Sequence, residues 1–240
     1  MRLRIVFNGS VPKDDGADAI NEDQTATDES RQRFAVSDGA SESYDSARWA
    51  RLLANAWVAG GMAVSRQGLE QVISEYERAC DPSSLSWSKR GAFDRGSFAT
   101  LLGVTVRGAA ARIVAMGDSM VLGLPIDGAT LSFPYSLSDE FDRRPLLLST
   151  SRDANNALFD RSVARGCITR WPLHPGAVLL LMTDALGQWL LRRGASASSC
   201  AVLLAIRTPE DLHAFVRSEQ ASGAMRRDDT TLLHLSAEEA

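Results

Sequence analysis

The hydrophobic and polar positions divide the chain into strand-like and helix-like stretches. Leu3–Phe7 predicts a first strand, and Asn8–Asp18 a loop of turn residues and acids. Arg33–Ser37 predicts a short strand that stops at Asp38-Gly39, a strong turn pair. From Ser43 the period becomes helical, with Ala47, Ala50, Leu53, Ala54, Trp57 and Val58 on one face. Gly60-Gly61 interrupts it. Leu69, Val72, Ile73, Tyr76 and Ala79 then form the apolar stripe of a second helix. Asp81–Gly96 is polar and predicts a loop, with Trp87 and Phe93 tucking it down.

Phe98–Val106, Ile113–Met116 and Met120–Leu124 predict strands, joined through Gly108-Ala-Ala and Gly117-Asp-Ser. Asp127-Gly128, between Leu124 and Leu131, predicts a further hairpin. Pro134–Arg170 is the least regular stretch, with a short helix at Arg152–Arg161. Gly176–Thr183 is a continuous apolar strand of the kind buried on both faces. Thr208-Pro209-Glu210 is a helix start, and Leu212, Phe215 and Val216 give that helix its apolar face. Thr230–Ser236 closes the chain as a strand. Strands come in runs and helices in pairs, which predicts an α+β fold with helices packed on mostly antiparallel sheets. No repeat or linker divides residues 1–240, so a single domain is expected.

Composition narrows the function classes. An apolar share of 45% and a charged share of 23% over 240 residues supply a sizeable core and exclude a disordered chain. The net charge of −4 argues against a broad nucleic-acid footprint. Cys80, Cys167 and Cys200 form no C-x-x-C pair and support neither a disulfide framework nor a zinc knuckle. The longest apolar runs, Ala177–Met182 and Cys200–Ile206, are shorter than the roughly 18 to 20 residues that cross a bilayer. The apolar start of the chain is too short for a signal peptide. A cytoplasmic protein with no membrane partner is expected.

Candidate chemistry sits where strands stop. Asn21-Glu22-Asp23 precedes the strand at Arg33, and Asp38-Gly39 ends that strand. Gly117-Asp118-Ser119 joins two strands, Thr183-Asp184 ends the buried one, and Arg227-Asp228-Asp229-Thr230 opens the last. Strand ends converge on a sheet rim, and carboxylates gathered there repel one another unless divalent cations intervene. An all-oxygen set suits magnesium, manganese or calcium rather than zinc or copper. Two such ions a few Å apart can activate a bridging water and clamp a phosphoryl group. With no partnered Ser or Cys nucleophile, the set points to direct metal-assisted hydrolysis of a phosphate ester.

Six segments carry a family resemblance: Asn21-Glu22-Asp23, Phe34-Ala-Val-Ser-Asp38-Gly39, Gly96-Ser-Phe-Ala-Thr-Leu-Leu-Gly103, Gly117-Asp118-Ser119, Leu179-Leu-Leu-Met-Thr-Asp184 and Asp228-Asp-Thr-Thr-Leu-Leu233. In this order they resemble the metal-dependent protein phosphatases of type 2C, especially the compact bacterial members. The resemblance implies a central β-sandwich flanked by helix pairs, with a two-metal site at one end. It implies two divalent ions, Mn2+ or Mg2+, bridged by Asp38, with the Gly39 carbonyl adding an oxygen. Glu22 would hold one ion, Asp184 and Asp228 the other, and Asp118 a third, weaker one. Asp23 would orient the attacking water. Pro134–Arg170 falls where the family has a variable flap. The substrate implied is a phosphoserine or phosphothreonine protein, opposed by a Ser/Thr kinase.

The chain also departs from the family. The phosphate-gripping Arg four residues before Glu22 is replaced by Asp18, leaving Arg31, Arg33 or Arg143 as substitutes. Ala40-Ser41-Glu42-Ser43 stands where the family has a Gly pair with His or Met, and Ala185 follows Asp184 where Gly is usual. An active but slow or narrow enzyme is expected; the alternative is a regulator of the same fold that binds a phosphoprotein or kinase without turnover. His174, His213 and His234 and the five tryptophans read as structural. Of the arginine pairs, Arg226-Arg227 borders a ligand and is placed to meet an anion.

Overall fold

The computed structural model describes residues 1–16, 20–60, 65–80, 85–126 and 128–239. Its strands form two five-stranded sheets. In spatial order the first is β1 (Arg2–Val11), β12 (Thr230–Glu238), β11 (Val178–Met182), β7 (Met120–Leu124) and β8 (Leu131–Phe133). The second is β10 (Ile168–Pro172), β6 (Ala110–Met116), β5 (Leu101–Arg107), β3 (Arg33–Asp38) and β2 (Asp23–Asp28). A small pair, β4 (Phe98–Ala99) and β9 (Leu148–Ser149), lies beside them. All paired strands are antiparallel.

Period-two alternation decides which side chains fill which layer. Phe34, Val36, Leu102, Val104 and Ile113 of the second sheet meet Leu179, Leu181, Leu233 and Leu235 of the first. The intervening residues point outward. Ala35, Leu101 and Val114 pack under helices α1 (Ser46–Gly60) and α2 (Arg66–Arg78) through Trp49, Leu53, Trp57, Ile73 and Tyr76. On the other side Met120, Leu122, Leu180, Met182 and Leu232 meet α5 (Asp184–Arg192), α6 (Ala197–Ala205) and α7 (Pro209–Ala221) through Leu186, Trp189, Leu203, Leu212 and Val216. The result is the expected α-β-β-α layering. At Gly103 the indole of Trp57 lies directly on the strand, where a Cβ would stand 2.3 Å from a ring carbon.

Several expectations need correction. β1 continues to Val11 instead of giving way to a loop at Asn8, because β12 pairs with it as far as Val11 opposite Thr230. β2 lies where no strand is predicted: its sequence, DQTATD, buries only Ala26 among apolar side chains. Thr100 breaks Phe98–Val106 into β4 and β5. α3 (Trp87–Arg95) replaces part of the loop expected at 81–96; Phe93 packs against Tyr76 and Tyr44, but Trp87 is 93% exposed and tucks nothing. Arg152–Arg161 is a 3-10 segment at Arg152–Phe159 followed by α4 (Arg161–Gly166), capped by Asp160. β10 lies in the irregular stretch as an edge strand. α5 and α6 also fall where no helix is predicted; α5 is only nine residues long, and it is buried from Asp184 to Leu191 although its polar Asp184, Gln188 and Arg192 recur at helical spacing.

Other readings hold. β11 is flanked on both faces, β7 and β8 pair as a hairpin, and Thr208 and Asp211 form a capping box with Pro209 at the start of α7. Asp127 and Asp18 lie outside the described residues. No described helix is long and apolar enough to cross a membrane.

Candidate metal centre

Four of the predicted acids arrive at one end of the sandwich from both sheets. Asp38 ends β3, Asp118 lies in the link from β6 to β7, Asp184 opens α5 after β11, and Asp228 precedes β12. Ligand oxygens of Asp38, Asp118 and Asp184 lie within 4.8 Å of one another. Asp228 lines the same shallow cleft, about 140 Å³, with Gly39, Ser41, Pro145 and Leu147.

Local chemistry fixes this convergence. Thr100, at the break between β4 and β5, acts as a clamp. Its Oγ1 accepts from the Asp38 amide at 2.9 Å and contacts Ser119 Oγ at 2.6 Å, while its own amide donates to the Asp38 carbonyl at 2.8 Å. Gly117 turns with φ +97°, and a Cβ there would lie 2.6 Å from Thr100 Cγ2, so only glycine lets the Asp118 link close onto the clamp. At Gly39 a Cβ would come within 2.8 Å of the Ser46 backbone, and its absence lets the start of α1 reach the rim.

The cluster is electrostatically costly. Burial, then repulsion from Asp23, Asp118 and Asp228, pushes the Asp38 carboxyl well above its ordinary value. Burial likewise raises Asp118. Arg226 offsets part of this: its guanidinium pairs with Asp184 and stands 3.4 Å from Asp228. Asp184 Oδ1 is nonetheless buried without a hydrogen-bond partner. A crowded all-oxygen set with an orphaned carboxylate oxygen has the chemistry of a hard-cation site.

The remaining predicted residues stand behind or beside the cleft. Asp23, buried opposite Asp38 in the β2–β3 register, accepts on Oδ2 from Thr183 at 2.9 Å and Thr231 at 2.8 Å. It therefore ties the two sheets together at the rim, and burial raises its carboxyl. Glu22 is not among the cleft-lining residues. Its Oε2 takes Lys13 Nζ at 2.8 Å and Ser41 Oγ at 2.5 Å, and its Oε1 takes Ser46 Oγ. Burial acts to raise Glu22, but hydrogen bonds from Lys13, Ser41 and Ser46 outweigh it and hold the carboxyl low. Asp229 accepts from the amides of Lys13 at 2.6 Å and Glu22 at 2.7 Å, so of the Asp pair it is Asp228 that lines the cleft.

Of the substitute cations, Arg31 pairs with Asp28, and Arg33 donates to the Val58 carbonyl at the far end of β3. Arg226 is the arginine that reaches the acids. Lys13 is the residue the sequence did not single out. Its only signal there is its place as one of two lysines, because its partner Glu22 is brought to it by tertiary structure.

No protein-family model matches the chain, and no curated protein matches it in sequence. Solved structures match along nearly the full length. The Mycobacterium tuberculosis serine/threonine phosphatase PstP superposes with a TM-score of 0.62 at 18% identity, over 100% of both chains. PppA, described as a key regulatory component of T6SS in Pseudomonas aeruginosa, gives 0.61 at 20% identity, over 99% of this chain and 98% of that one. The catalytic domain of PstP solved with two manganese ions gives 0.61 at 17%, over 99% of each. The fold is thus that of the bacterial type 2C serine/threonine phosphatases.

Proposed function

We propose that the chain is a metal-dependent phosphatase that removes phosphate from phosphoserine and phosphothreonine in proteins. The observation that carries this reading is the Asp38–Asp118–Asp184 cluster, with its orphaned Asp184 oxygen, in an open cleft on this fold. Two divalent ions, manganese or magnesium, would be held by Asp38, Asp184, Asp228, Glu22 and the Gly39 carbonyl, with Asp118 serving a third, weaker ion. Ions so held supply Lewis-acid stabilisation of the phosphoryl oxygens and water that is acidic near neutral pH.

The chain's own groups do the rest. Asp23, locked by Thr183 and Thr231, keeps a carboxylate oxygen free to orient water behind the cleft. Arg226 brings a planar fork to the acids and is suited to gripping a phosphoryl group. A shallow cleft favours a protein surface over an engulfed small molecule. We read residues 1–240 as one domain with 134–170 as its flap, working in the cytoplasm against a Ser/Thr kinase. A second reading, a non-catalytic regulator, is favoured by one feature: the Lys13–Glu22 ion pair occupies a carboxylate the metal reading needs.

Hydrolysis of an aryl phosphate and of a phosphothreonine peptide, with manganese, magnesium or chelator, tests the choice. Metal-dependent turnover that disappears in Asp38→Asn is expected. Phosphopeptide binding without turnover under any metal would support the regulator.

A further inference from the structure

The opposite end of the second sheet carries the reverse charge. Strand register sets Arg33 on β3 opposite Thr105 on β5, Thr105 opposite Arg112 on β6, and Arg112 opposite Arg170 on β10. Arg107 follows two residues after Thr105, on the same face. These side chains stand on the helix-side face, just past the end of α1, around a cavity of about 290 Å³ closed on one wall by Trp57. Among the described residues no carboxylate lines the cavity. Among the described residues none of the four arginines enters an ion pair; Arg33 alone has a protein partner, the Val58 carbonyl. Residues 61–64, which follow α1 in sequence, contain no acid.

Directly opposed like charges in a sheet are destabilising. Arg112 shows the effect: partial burial, then the charges of Arg170 and Arg107, lower its pKa. Solvated surface arginines would avoid such crowding or find acids, in a chain where acids outnumber cations 30 to 26. We infer that this cavity is a second, non-catalytic anion site that takes a phosphate monoester or inorganic phosphate between the guanidiniums of Arg107, Arg112 and Arg170. Arginine forks match phosphate oxygens in bidentate geometry, and a dianion relieves the repulsion that register imposes. The cluster is one compact cavity, which fits a single phosphate group better than a nucleic-acid backbone. Along β3 alone, Arg33 at the edge of this cavity stands about 16 Å from Asp38, a five-residue rise. The inference does not depend on the phosphatase reading.

The test is binding under chelator, where the acid cleft repels anions. Inorganic phosphate, a phosphothreonine peptide and its unphosphorylated twin are titrated by calorimetry into the wild type and into Arg112→Gln/Arg170→Gln. Thermal melts are recorded with and without phosphate. Affinity about tenfold or more weaker in the double variant is expected. Phosphate should raise the wild-type melting temperature but not the variant's, and the variant alone should melt no lower than wild type. Peptide binding tighter than that of phosphate alone would make the source a phosphoprotein segment; equal binding would make it a free anion. Equal phosphate affinity in wild type and variant, or equal binding of the unphosphorylated peptide, would overturn the site. Should the double variant misfold, Arg107→Gln, at an exposed position, carries the same test.

Discussion

The two ends of β3 gather like charges by different means. At Asp38 the acids come from four separate chain segments and both sheets, and a web of hydroxyl contacts braces the rim: Thr100 accepts from the Asp38 amide and contacts Ser119, while Thr183 and Thr231 donate to Asp23 behind the cleft. At Arg33 the arginines come from one sheet, set side by side by register, with almost no protein partners. The acid end is built so that its carboxylates keep their places despite repulsion. The arginine end has no such framework among the described residues, and its charges face one another across a cavity. Satisfied framework around unsatisfied charge is therefore the mark of the first end, and unsatisfied charge alone the mark of the second.

The largest expected effect breaks the acid end. Asp38→Asn should lower metal-dependent hydrolysis by about 100-fold or more, measured as initial rates, because it removes a charge central to the cluster. Its melting temperature under chelator should not fall, since the same change relieves repulsion. A large loss of stability would instead make Asp38 a structural residue.

Gly103→Ala strikes the wall of the arginine end. The new Cβ must displace the Trp57 indole, and urea unfolding should show a loss of about 2 to 3 kcal/mol. Phosphate binding should weaken with it, whereas a silent substitution would mean that α1 moves freely over the sheet.

A pH series separates both ends from His234, which burial and Arg207 hold down at about 4. The unfolded chain takes up a proton near 6.5 that the folded chain refuses until about 4. Stability must therefore fall as pH drops through that window, by up to about 3 kcal/mol, and level off below it. Denaturant midpoints for wild type and His234→Leu should converge in slope above pH 7 and diverge below 6; parallel curves would remove His234 as the cause.

Thr183→Val is the smallest of the set. It strips a donor from Asp23 and an acceptor from the Thr231 amide, both buried, at about 2 kcal/mol. Thr100→Val should do comparable harm on the other sheet, and the double variant should show coupling if the rim is one network, as a double-mutant cycle would measure.

Legibility in the sequence followed the kind of pattern available. Layering was readable because β5, β11 and β12 combine long apolar runs with sharp turn signals, and α1, α2 and α7 have clear stripes or caps. β2 and α5 were not readable for different reasons. β2 is a polar edge strand whose only buried apolar side chain is Ala26, and α5, at nine residues, is shorter than the window of about 11 residues over which helical periodicity stands out. The acids were found because each sits beside a strand end.

What the sequence determined by itself was the inventory: an α+β chain, its strand-ending carboxylates, and the absence of cysteine or histidine from that set. Tertiary structure alone decided which charges meet. It drew Asp38, Asp118 and Asp184 together, set Arg226 against Asp184, gave Glu22 to Lys13, and lined Arg112 up with Arg170. The physical reason is that Coulomb and hydrogen-bond energies depend on separation in space. Sheet register and strand crossing fix that separation, and no local sequence pattern records it.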